Sequence, residues 1–302
     1  MSHRKRLREL LADPQMILAP GAYDALSAKI IEAAGFKAVV AGGYAATGSL
    51  LAQPDTGQSN MRDYADHYAR IAAAVNVPVF VDADTGFGGV NNVRQMVRGF
   101  ESGGVGGLFI SDQVFPNRCG YMEGKQIIPI EEMLSKVKAA LDARRDPDLV
   151  IAARTDAFHV AGLDAGIERA QMFMEIGADV AMVMGSDKIE NFKRVKAEVP
   201  GPRLANISHA NPNGWPSLAE YEAAGASFVT FPSATLFAAV GAVTRVMQTL
   251  QRDKSFEAVK HEFVALSDYY DLVGLQAQTN KESAYLAAAQ DAIAKVRSDR
   301  RM

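Results

Sequence analysis

The chain has 302 residues, with 35 acidic and 32 basic side chains and a formal net charge of −3. With no basic surplus, a phosphate backbone is an unsuitable main partner, and 48% hydrophobic against 22% charged residues excludes wholesale disorder. A length of this order allows two domains of about 150 residues, although α/β barrels hold some 250 or more in one.

Short apolar runs recur along the chain, each followed by a longer segment with helical periodicity. The predicted strands are Met16–Pro20, Ala38–Ala41, Pro78–Asp82, Leu108–Ser111, Leu149–Arg154, Val180–Met184, Leu204–Ile207 and Phe228–Phe231. Between them lie amphipathic stretches, among them Asp24–Ala34, Met61–Val75, Ile130–Ala143 and Ile167–Ile176. Four helix-to-strand junctions share one pattern: EAAG at 32–35, ESGG at 101–104, EIG at 175–177 and EAAG at 222–225. Each puts a glycine where a left-handed residue would end the helix. After the eighth unit come two more helical patterns, 256–268 and 281–297, separated by DYYDLVGLQAQTN.

Eight strand–helix units match an α/β (β/α)₈ TIM barrel. The competing doubly wound sheet carries a glycine-rich turn after its first strand, and the chain reads GAYDALSAK there. No linker divides the chain, so 1–302 is read as one barrel domain with 256–302 as a C-terminal helical extension. The basic N-terminus reaches Glu9 and Asp13 before any long apolar run, unlike a secretory signal. Uncharged stretches at 38–54 and 228–244 are broken by glycine or proline and read as strand plus loop. A cytoplasmic protein with no membrane or nucleic-acid partner is expected.

In such barrels the active-site groups gather at the C-terminal strand ends. Strand three ends in VDADTGFGG. Asp82 and Asp84, two apart on a strand, would present both carboxylates to one face, where a hard cation such as Mg²⁺ or Mn²⁺ would relieve their repulsion. Asp84 could instead cap the following turn, with Asp82 paired to an arginine. Gly86, Gly88 and Gly89 would let a ligand approach the backbone. Asp55, in QPDTG, reads equally as a turn aspartate. Arg154 could grip a carboxylate in two places or pair with Asp156. Asn206 could orient a substrate oxygen or satisfy a loop, and His209 could be an ordinary loop histidine. The sole cysteine, Cys119, cannot form an internal disulfide. It lies in NRCGYMEGK beside Arg118, with Lys125 further on; nearby cations favour a thiolate, and Gly120 and Gly124 give that segment the freedom of a lid.

Taken together, GAYDALSA, GSLLAQPDTG, VDADTGFGG, SDQVFPNRCGYMEGK, ARTDA and LANIS resemble the isocitrate lyase and phosphoenolpyruvate mutase superfamily. The nearest likeness is to its lyases of 2-methylisocitrate and 2,3-dimethylmalate. The resemblance implies a barrel whose last helix is exchanged between subunits of a dimer or tetramer. It implies Mg²⁺-dependent cleavage of the C2–C3 bond of a substituted malate-like 2-hydroxy acid, releasing an α-keto acid. Carried across by motif, Asp82 would ligate the metal directly, and Asp84 and Asp55 would hold its waters. Gly42 and Gly43 would offer backbone N–H groups to the substrate carboxylate. Arg154 would bind that carboxylate or the developing carbonyl oxygen, with Asn206 and Tyr121 also at the substrate. Cys119 would be the acid/base on the lid.

Several positions depart from the family pattern. Ser111 stands where glutamate precedes DQ, Asn117 replaces a lysine, Tyr121 a histidine, and Met184 or its neighbour a glutamate; His209 replaces an acid, and Ala41 a serine. Loss of three acids implies weaker metal binding, and methionine in place of glutamate implies a less polar substituent on the substrate. Two other readings stay open: decarboxylation or hydrolysis of an oxaloacetate-type α-keto acid, and a degenerate member without catalysis. The presence of Cys119 favours cleavage.

Overall fold

The computed structural model describes the chain except residues 1, 121, 187, 209–213, 215 and 301–302. In chain order the first elements are α1 (His3–Ala12), β1 (Ile17–Pro20), α2 (Ala25–Ala33), β2 (Val39–Ala41), α3 (Gly43–Leu51) and α4 (Met61–Ala74). Next come β3 (Val79–Asp82), α5 (Val90–Ser102), β4 (Gly107–Ser111), α6 (Ile130–Ala143), β5 (Val150–Thr155), α7 (Ala157–Ala161) and α8 (Leu163–Glu175). Then follow β6 (Val180–Val183), α9 (Ile189–Glu198), β7 (Leu204–Asn206), α10 (Leu218–Ala223), β8 (Phe228–Phe231) and α11 (Ala234–Asp253). A 3₁₀ turn at Glu257–Glu262, α12 (Leu266–Val273) and α13 (Leu275–Asp299) complete the series.

All eight predicted strands form within one residue of their expected bounds. Strands β2 to β6 pair in sequence order in one parallel sheet, and β7, β8 and β1 in another. Single parallel bridges, Gly21 to Val40 and Ala181 to Arg203, join β1 to β2 and β6 to β7. Sequence neighbours are therefore spatial neighbours around the whole ring, as a (β/α)₈ barrel requires. The four junction glycines behave as expected: Gly35, Gly104, Gly177 and Gly225 all have φ between 78° and 102°, a region open to a residue without Cβ.

Period-2 alternation divides the strand side chains into two sets. One set, including Val40, Phe80, Phe109, Ala152, Met182, Leu204 and Phe228, fills the barrel interior together with fully buried Leu7 of α1. The other set packs outward against the helices, where Tyr68, Ile71, Met96, Phe100 and Val137 are buried. Helix α1 is fastened to the β5 and β6 entries: Arg8 and Arg144 each donate to a different oxygen of Asp179, both at 2.7 Å.

The chain forms two compact units, 1–241 and 242–302. In the second unit the expected helix over 256–268 is replaced by the 3₁₀ turn and the start of α12. Phe256 and Phe263 meet edge to face at 5.4 Å across that turn, a contact that holds the shorter winding. The segment expected to separate two helices is mostly helical itself, broken only at Gly274 with φ 77°.

Candidate active site

The alternation that fills the barrel with apolar groups also sets the layer above them. Two residues beyond Phe80, Phe109, Ala152, Met182, Leu204 and Phe228 stand Asp82, Ser111, Arg154, Met184, Asn206 and Thr230. Asp82, Arg154, Met184, Asn206 and Thr230 line one cavity of about 300 Å³. Asp55, Gly42, Gly43, Tyr44, Cys119, Gly120 and Phe237 are also on its wall. The sequence-predicted residues therefore converge on one place, except Asp84, which lies off the wall, and Tyr121 and His209, which fall outside the described residues.

The carboxylates meet in a different way from the one predicted. Strand β3 ends at Asp82, so Asp84 does not share its face by strand alternation. Asp84 instead takes φ 45°, and its N–H donates to Asp82 Oδ1 at 2.9 Å. That left-handed turn continues through Gly86, Phe87 and Gly88, all with positive φ. The glycines serve the turn rather than a ligand: a Cβ on Gly86 would lie 2.4 Å from Val93 Cγ2, and none of Gly86, Gly88 and Gly89 lines the cavity. Gly43 brings the two acids together. A Cβ there would sit 3.2 Å from both Asp82 Oδ2 and Asp84 Oδ1, and the Gly43 N–H donates to Asp82 Oδ2 at 3.2 Å. In this structure that N–H serves Asp82, while Gly43 itself stays on the cavity wall.

Among the described residues, Asp84 Oδ2 and Asp55 Oδ1 are buried without a hydrogen-bond partner. Burial and then the Asp82 charge push the Asp55 carboxyl up to about 7. Burial, followed by the Asp82 and Asp55 charges, pushes Asp84 well up, and burial raises Asp82 as well. Three buried acids that repel one another and leave two oxygens orphaned form a donor set short of a cation. They do not form a closed cage: the described residues contain no cluster of three His, Cys, Asp or Glu side chains arranged to ligate a metal unaided. Such a set suits one direct carboxylate ligand with water between the ion and the others.

Arg154 forms the predicted pair with Asp156. Its Nε and Nη2 donate to Asp156 Oδ2 and Oδ1 at 2.8 and 3.0 Å, yet the side chain still forms part of the cavity wall. Burial opposes its charge, but Asp156 more than offsets this and holds the guanidinium protonated. Asp112, unrecognised in the sequence, braces the same strand end. It accepts from Thr155 Oγ1 at 2.6 Å, from the Asp156 N–H at 2.8 Å and from Arg169 at 3.0 Å.

The cysteine-bearing segment starts from a fixed base. Gln113 accepts from the Arg118 N–H at 3.0 Å and donates back to its carbonyl at 2.9 Å. Lys125 Nζ donates to the carbonyls of Gly120, at 2.7 Å, and Met122, and burial lowers its pKa. Gly120 is closely packed: a Cβ there would come within 2.4 Å of Met184 Cε and 2.8 Å of Arg154 Nη2, so both side-chain ends would have to shift. Sequence reasoning missed Tyr44 and Phe237, whose rings stack at 5.8 Å on the wall. No short motif marks either, because they come from the second and last units of the barrel.

Comparison with known proteins identifies the family. Residues 7–251 match the phosphoenolpyruvate phosphomutase family. The chain is 39% identical over 276 residues to a 2,3-dimethylmalate lyase of Eubacterium barkeri, covering 91% of this chain and 96% of that one. An oxaloacetate acetylhydrolase structure with 3,3-difluorooxalacetate superposes with a TM-score of 0.89 at 30% identity, covering 94% and 97% of the two chains. A phosphonopyruvate hydrolase complex with oxalate and Mg²⁺ gives a TM-score of 0.85 at 28% identity, covering 95% and 100%. With family model, fold and relatives in agreement, the chain belongs to the phosphoenolpyruvate mutase and isocitrate lyase superfamily, as one of its carbon–carbon lyases.

Proposed function

We propose that the protein cleaves the C2–C3 bond of a substituted malate-like 2-hydroxy acid to an α-keto acid and a carboxylate. The observation that carries this reading is the shared cavity: Asp82 and Asp55, Arg154 and the sole thiol, Cys119, all face it. The orphaned oxygens of Asp84 and Asp55 fit a Mg²⁺ or Mn²⁺ ion ligated by Asp82, with Asp84 and Asp55 holding its waters. Once bound, such an ion supplies positive charge where the carboxylate and C2 oxygen of the substrate gather.

Cleavage sends the C2–C3 electron pair onto C3 as the C2 hydroxyl passes its proton to an ionised carboxylate of the acid cluster and C2 becomes the carbonyl of the α-keto acid. Arg154, kept charged and oriented by Asp156, stabilises the negative charge that develops on oxygen. Cys119 Sγ gives a proton to the departing carbanion, the role of a general acid. Closure of the 119–124 segment excludes water while the carbanion lives. Gly42, at the start of α3, presents backbone to the substrate carboxylate, and Asn206, held by Thr230 Oγ1 at 2.8 Å, orients a substrate oxygen. Tyr121 belongs to the same lid by sequence.

The same cavity is lined by Phe109, Met182, Met184, Leu204 and Phe237, an apolar lining suited to an alkyl substituent. Likeness to the acetylhydrolase favours a second reading, hydrolysis of an oxaloacetate-type keto acid. We further propose a homodimer or homotetramer in the cytoplasm: α12 and α13 bury none of their residues, and apolar groups such as Leu266, Leu286 and Ile293 are left for exchange with a partner subunit. Among the described residues, no helix is long and apolar enough to cross a membrane. One panel tests the reading: α-keto acid release from malate, citramalate, dimethylmalate, isocitrate and 2-methylisocitrate, run beside oxaloacetate consumption. Release from a 2-hydroxy acid supports cleavage, and oxaloacetate loss alone supports hydrolysis.

A further inference from the structure

Asn117 belongs to the lid segment, yet it is buried, at 2% exposure. Its Nδ2 donates to Asp84 Oδ1 at 3.0 Å. Its Oδ1 accepts from Ser111 Oγ at 3.1 Å, which fixes the orientation of the amide. Its backbone lies against Gly57, where a Cβ would come within 2.9 Å of the Asn117 N atom. Gly57 in turn follows two residues after Asp55, and its backbone partly offsets the effect of burial on that acid. Asn117 thus contacts Asp84 directly and lies against the loop that carries Asp55, and Cys119 follows two residues later. Arg118, between them, has an exposed side chain on a backbone pinned by Gln113.

We propose that Asn117 is a positioning residue through which a divalent cation at the acid cluster orders the lid carrying Cys119. This rests on reading Asp82, Asp84 and Asp55 as a cation site. The physical basis is mutual restraint: a cation that draws the acids together fixes Asp84 Oδ1, hence the Asn117 amide, hence the chain entering the lid. Ser111 acts one step further back by holding the amide in register. At these two positions, which depart from the family pattern, the chain carries one neutral hydrogen-bonded relay.

Trypsin reads lid order without reading activity, because Arg118 and Lys125 bracket the segment and cleavage requires local opening. In the full-length protein, Mg²⁺ alone should slow cleavage after these residues by about an order of magnitude. In Asn117→Ala the slowing should vanish, although calorimetry still detects Mg²⁺ binding. Ser111→Ala, which keeps Asn117 and disturbs the fold less, should show a smaller slowing than the wild type. If the wild type binds Mg²⁺ and both variants keep the full slowing, the relay is overturned and the cation site stands. If the wild type shows no Mg²⁺ binding by calorimetry, the cation site itself falls, and the relay with it.

Discussion

Arg154 and Asp156 form a closed pair in which two guanidinium nitrogens meet two carboxylate oxygens at 2.8 and 3.0 Å, both side chains buried. The pair spans a single intervening residue, Thr155, at the end of β5, so the strand itself sets its geometry. Replacing Asp156 with asparagine leaves a buried cation without its counter-charge, an effect that typically costs about 3–5 kcal/mol of stability. Asp156→Asn should therefore lower the thermal midpoint and cut turnover by about 10²–10³, the usual scale for misplacing one charge-stabilising donor. Mg²⁺ binding should survive, since Asp82 is untouched; calorimetry beside the keto-acid assay separates the two effects.

The acid cluster makes a pH prediction with a definite sign. Asp55 ionises near 7 in the folded chain, against an ordinary value of 3.8. Between those limits the folded state holds a proton that the unfolded state has released, so stability falls as pH rises through this window. In chelator, the thermal midpoint should decline from pH 5 to pH 8. Saturating Mg²⁺ should flatten the decline, because a cation replaces the proton as the neutralising charge. A midpoint that rises over the same range in chelator would contradict the burial of these acids.

Specificity should follow the apolar wall. Met184 is buried and packs so close to Gly120 that a Cβ there would displace its side-chain end. Gly120→Ala should raise KM for every substrate by displacing the lid, and a melting curve should show the barrel intact. Among turned-over acids, kcat/KM should favour an alkyl over a carboxylate substituent by about 10–200-fold, the range that small differences in an apolar pocket supply.

Much of this was legible in the sequence because the barrel repeats two simple signals. Apolar runs marked the strands, and glycines at 35, 104, 177 and 225 marked the helix ends. Strand ends then pointed to Asp82, Arg154 and Asn206. The failures came where chain direction changes after a strand. Asp84 was assigned by alternation that stops at Asp82, and its turn glycines were read as ligand contacts. The Asn117–Asp84 contact joins residues 33 apart through a lid whose path no periodicity encodes. The duty of the Gly43 N–H likewise depends on where the Asp82 carboxylate turns.

Helices α12 and α13 supply a prediction about assembly. None of their residues is buried within the chain, and this is the ground for proposing a partner subunit. Light scattering at micromolar concentration should report at least a dimer. Replacing Leu286 and Ile293, exposed at 62% and 51%, with glutamate should shift it towards monomer.

The most direct test of the lyase account is Cys119→Ser, assayed by α-keto acid release on whichever 2-hydroxy acid the wild type turns over. General acid–base groups contribute about 10²–10⁴ in rate, so the variant should lose turnover on that scale while still binding Mg²⁺ with oxalate. Normal keto-acid release by Cys119→Ser would contradict the account and leave hydrolysis or decarboxylation, carried by Arg154 and the acid cluster, in its place.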